Sequence, residues 1–139
     1  MQKTSFKLLM TLSVMVLLLA SSAFAQTPEL IYVNVPFEFT VGSKTLPAGE
    51  YTVRQINSSR LLIQSRDYHH AVIAMTHDAQ AKAEPKNAQL LFARYGDQYF
   101  LYQVFTQGTS RGRELPKSEI EVKLAQTATA RNVSVSGHQ

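Results

Sequence analysis

The chain contains no cysteine. Disulfides, thiol chemistry and thiolate metal sites are thereby excluded. A lipid anchor is excluded as well, because a lipidated export signal needs a cysteine directly after its cleavage site and Gln26 stands there. No glycine loop is spaced to cradle phosphates. After the first 20 residues no second long apolar run follows, so no permanent membrane helix is expected.

What is present begins with an export leader. Lys3 and Lys7 form a positive n-region, Leu8 to Ala20 an apolar h-region, and Ala23-Phe24-Ala25 a small-x-small cleavage site. The expected products are a signal peptide over 1–25 and a mature chain starting at Gln26, periplasmic or extracellular. Cleavage leaves 114 of the 139 residues, one ordinary domain able to bury its own core. Losing Lys3 and Lys7 reduces 14 basic side chains to 12, against 10 acidic ones, so the net charge falls from +4 to +2. Half of the apparent basicity therefore belongs to the leader, which argues against a nucleic-acid partner. Without disulfides in an oxidising compartment, the domain must rely on its hydrophobic core.

That core is announced by Leu30 to Val53. Ile31, Val33, Val35, Phe37, Phe39 and Val41 alternate with mostly polar neighbours, the period of a half-buried strand. Pro36 removes a ladder donor in mid-run, which predicts an edge strand or a bulge. Gly42-Ser43 and Pro47-Ala48-Gly49 are turn signals around a brief extended piece, Lys44 to Leu46. Strands are then expected over 51–56, 60–65 and 68–76, followed by an exposed loop over 77–87. The dipeptide Gly96-Asp97 predicts a type II′ hairpin joining 88–95 to 98–106, with Phe92 opposite Leu101 and Leu91 opposite Tyr102. A glycine-containing loop is expected over 107–116. Ser118-Glu119-Ile120-Glu121 matches a capping box, so 118–126 reads as a short amphipathic helix carrying Val122, Leu124 and Ala125, with a seventh strand as the alternative. Residues 127–139, small and polar, are expected to be a disordered tail. The sum is a mainly β domain over 26–126, an antiparallel six- to seven-stranded sandwich or small open barrel with a short C-terminal helix.

At PFEFTVGSKTLPAGEYTV, RYGDQYFLYQVFTQG and GRELPKS the chain resembles an uncharacterised family of small exported bacterial β-proteins. The likeness runs from about Val33 to Ser118. It implies export and a β fold, and brings no activity with it. The piece LPAGEYTV is also similar to turns in transthyretin-like and immunoglobulin-like sandwiches, a likeness of fold alone.

Candidate chemistry is sparse. His69, His70 and His77 are the histidines that could hold a metal, but adjacent strand residues point to opposite faces, so ordinary exposed histidines are the better reading. Glu38 and Glu50 could face each other as paired carboxylates, though solvated acids explain them better. Arg111, Arg113 and Lys117 form a local cationic cluster suited to an anion or an acidic partner, diluted by Glu114 and Glu119. Tyr95, Tyr99 and Tyr102 could form an aromatic sugar-binding platform if exposed, or else pack in the core. No catalytic residue, metal ligand or cofactor is assigned. A membrane barrel is not expected, because six strands are too few and the terminal Gln139 is not aromatic. The expected role is a non-catalytic exported module contacting an envelope protein or a glycan. A small-ligand or glycan-binding barrel is the alternative, and a hydrolase a distant third.

Overall fold

The computed structural model describes residues 29–139, together with Thr4 and Lys7. The rest of the leader, its cleavage site and residues 26–28 lie outside the described residues. Among the described residues eleven strands form one sheet that curls into a nearly closed barrel.

β1 (Leu30–Val35) follows the alternation of its sequence, with Ile31, Val33 and Val35 buried and Tyr32 and Asn34 exposed. It ends at Pro36, which has no N–H to continue the ladder. The expected continuous strand is therefore two. β1 lies between two antiparallel neighbours and is not an edge. Beyond the break Phe37 turns toward the interior, stacked on Tyr99 at 3.8 Å and edge-on to Phe92 at 5.1 Å. β2 (Phe39–Val41) then pairs with β3 (Lys44–Leu46) and runs parallel beside Phe100 of a later strand.

β4 (Gly49–Asn57), β5 (Arg60–Ser65) and β6 (Ala71–Met75) form an antiparallel meander. At the β4–β5 turn the Asn57 side chain accepts from the Ser59 N–H at 2.9 Å, the local bond that makes Asn a turn residue. β6 starts later than expected, because residues 66–70 form a turn.

The Gly96-Asp97 hairpin joins β8 (Ala88–Tyr95) to β9 (Gln98–Phe105). Gly96 has φ +61° while Asp97 does not have positive φ, as a type II′ turn requires. Arg94 faces Tyr99 and Phe92 faces Leu101, but a bulge after Leu91 sets that residue opposite Gln103 rather than Tyr102. The bulge moves Val104 inside with Leu90, Phe92 and Leu101.

Three expected irregular stretches are strands. Within the supposed loops, β7 (His77–Gln80) pairs with β10 (Arg111–Glu114), which in turn pairs with the end of β9. The supposed tail contains β11 (Arg131–His138), inserted between β8 and β1. Its interior positions are Val133, Val135 and Gly137. Glycine is needed at 137 because a Cβ there would sit 2.7 Å from the Tyr32 carbonyl oxygen.

The ring closes through β6, β7, β10 and β9. Toward the start of β6, Lys44 Nζ on the edge strand β3 donates to the Ala71 carbonyl at 2.8 Å. The interior is filled by Phe39, Phe92, Leu46, Ile63, Leu90, Val35, Val41 and Val53, all fully buried. The expected strand count was too low, because strands held by backbone pairing alone carry little apolar periodicity.

Helix α1 (Glu119–Thr127) starts as its capping box predicts, with Ser118 Oγ accepting from the Glu121 N–H at 3.2 Å. It covers the outer face of the hairpin, where Leu124 packs on Ala93, Tyr95 and Phe100. Its buried face differs from the expected one. Glu121 points inward, while Val122 and Ala125 are exposed.

Candidate functional site

The barrel divides the expected cationic cluster, keeping Arg111 beside Arg113 and setting Lys117 apart. Arg113 is built into the wall: Nε donates to Thr76 Oγ1 at 3.0 Å, Nη2 to the Thr76 carbonyl at 3.1 Å, and Nη1 to Asp78 Oδ1. Arg111 shares with Arg113 a cleft of about 320 Å³ at one mouth of the barrel, where Glu29 and Asp78 offset the positive charge. Lys117 is not among that cleft's lining residues. Its charge acts on Glu121, at the start of α1.

The tyrosines are divided as well. Tyr95 is buried beneath α1, with its hydroxyl 3.5 Å from Glu121, and Tyr102 packs half-buried against the same cluster. Tyr99 belongs to the other face, between Phe37 and the Arg94 guanidinium. They form no shared platform.

Nor do the acids and histidines converge. Asn34, not Glu38, stands opposite Glu50, and Glu50 is paired with Arg66 at 2.7 Å. His69 Nδ1 lies 3.1 Å from Asp67, while His77 is on β7 opposite Glu114. Among the described residues no group of three or more His, Cys, Asp or Glu is placed to hold a metal ion.

A groove of about 770 Å³ lies elsewhere, on the outer face of β1, β4 and β5. Strand register builds its floor. Tyr32, Thr52 and Gln64 stand side by side across the three strands, and His138 of β11 lies beyond Tyr32, its ring stacked on the tyrosine at 5.4 Å and 19°. The next row is Asn34, Glu50 and Arg66. Tyr68 stands at the lip, 77% exposed and with φ +62°.

A bulky side chain with positive φ is an outlier costing about 1–3 kcal/mol, and the turn around it is heavily bonded. The Tyr68 N–H donates to the Ser65 carbonyl at 3.0 Å, and the Ser65 N–H to the His70 carbonyl at 2.8 Å. Asp67 Oδ1 accepts from Ser65 Oγ at 2.5 Å and from the His69 N–H at 3.0 Å. The Ser65 hydroxyl, the His69 N–H and the His69 ring hold the Asp67 carboxyl well below the usual carboxylate range.

Tyr32, Tyr68 and His138 are not singled out by sequence reasoning. The one usable signal was an aromatic on the polar face of β1. Tyr68 was expected to begin a strand, and His138 to lie in a disordered tail. Comparison with protein-family models, with curated proteins and with solved structures returns no match.

Proposed function

We infer that this is an exported, non-catalytic β-barrel module that binds an envelope or extracellular partner on its outer surface. The observation carrying this reading is the contrast between a barrel filled by apolar side chains and a large groove of polar and aromatic side chains outside it. A filled interior favours a surface partner over an enclosed small ligand. The acids support a non-catalytic role, since Glu50 is ion-paired and Glu121 is covered by its own helix. The n-region, h-region and Ala-Phe-Ala site support export, as does the resemblance to small exported bacterial proteins.

Among the described residues no helix is long and apolar enough to cross a membrane. The polarity of the barrel is also the reverse of a membrane barrel, apolar inside and bearing Glu50, Arg54 and Arg66 outside. Strand number no longer tells against a membrane barrel, because the described residues form eleven strands and not the expected six. Expression of the full chain in a bacterial host, followed by fractionation and intact-mass measurement, tests export. The expected product begins at Gln26 and is found in the periplasm or medium. A cytoplasmic product retaining residues 1–25 overturns it.

A further inference from the structure

We propose that the outer groove is a glycan-chain site in which Tyr68 and the stacked pair Tyr32–His138 hold sugar rings at its two ends, while Asn34, Thr52 and Gln64 hydrogen-bond to hydroxyls along its floor. The assignment rests on the reading of the protein as a surface-binding module and names the partner class. Its first support is the chemistry of the lining. Sugar rings present C–H faces that pack on aromatic rings and hydroxyls that pair with amide and hydroxyl side chains. The groove offers those two features together, flat rings at the ends and polar groups between them, Asn34, Thr52 and Gln64 beside the charged Glu50, Arg54 and Arg66.

The second support is Tyr68 itself. A turn that needs positive φ takes Gly or Asn at least cost. Here a tyrosine occupies that position, its ring almost fully in solvent, on a turn tied down by Asp67 and Ser65. Strain retained in an exposed ring at the lip of a groove is what a ligand contact explains and packing does not. The size of the groove also lies within the range of about 300–1,000 Å³ usual for ligand sites.

The test titrates the mature protein with three soluble probes, cellohexaose, chitohexaose and a galacturonate hexamer, by NMR or calorimetry. The two neutral probes and the acidic one distinguish an uncharged chain from one whose carboxylates meet Arg54. Saturable binding of at least one is expected, and Tyr68→Ala or Tyr32→Ala should weaken it about tenfold. Tyr68→Gly is the second variant, expected to lose the same affinity while its Tm is unchanged or higher, because glycine relieves the positive φ. No saturable response to any probe at millimolar concentration overturns the glycan assignment, as does binding indifferent to both tyrosines. Capture of an envelope protein that Tyr68→Ala abolishes, without glycan binding, would replace the glycan by a protein. An exported protein that binds none of the probes loses only this assignment, whereas the cytoplasmic product described above removes the module reading itself.

Discussion

At the residue scale, Arg113 has a partner for every nitrogen of its guanidinium, and Thr76 supplies two of the acceptors at the point where β6 passes into β7. Its side chain is only 12% exposed, whereas that of Asp78 is 96% exposed, so the weight falls on Thr76 and not on the ion pair. Arg113→Ala should lower unfolding free energy by about 2 kcal/mol in urea titrations, and Asp78→Ala by less than about 0.5 kcal/mol. Equal losses would refute this division. Glu121 carries the clearest pH dependence. Burial raises its pKa above the ordinary 4.5, partly opposed by Lys117, the Tyr95 hydroxyl and the Ser118 bond. A raised folded pKa contributes stability that is fully present below the unfolded pKa and is lost as pH rises through the folded one. Glu121→Gln keeps the shape without the charge. The variant should therefore melt higher than wild type at neutral pH, with the difference shrinking as pH falls toward 4.5. Parallel Tm curves across that range would sink the assignment.

At the scale of elements, β11 is the piece whose removal should matter most. It pairs over seven residues with β8 and also borders β1, so without it both strands lose a partner and the filled interior opens. A chain ending at Ala130 should show no cooperative melt by circular dichroism. Gly137→Ala, whose Cβ would press on the Tyr32 carbonyl, should cost about 1–3 kcal/mol. A truncated chain melting at the wild-type Tm would restore the disordered-tail reading. The missed strands share a cause. β7 and β10 have no buried residue, and β11 has only half-buried Val133, Val135 and Gly137 on its inner face. Periodicity registers burial, not backbone pairing, so β5, β8 and β9 were legible and these three were not. The helix was legible from Ser118 and Glu121 because capping is local, yet the identity of its buried face was not. What decided that face was the position of Tyr95 and Phe100 on the hairpin beneath it.

At the scale of the whole molecule, closure converts sequence neighbours into strangers and distant residues into partners. Lys117 lies within seven positions of Arg111 and Arg113 but acts at the start of α1, while the two arginines share the barrel mouth, where Arg113 also ties down the β6–β7 bend. Tyr32 and His138, at opposite ends of the described chain, share one ring stack. The inward faces of β1 and β2, the Gly96-Asp97 hairpin and the cap of α1 were determined by the sequence alone. Each depends on residues a few positions apart, through alternation, turn φ or a side chain bonding to its own helix. The eleven-strand closure, the use of Arg113 as a wall element and the outer groove were decided by tertiary structure. They arise where strands far apart in the chain meet in register, which no local pattern encodes.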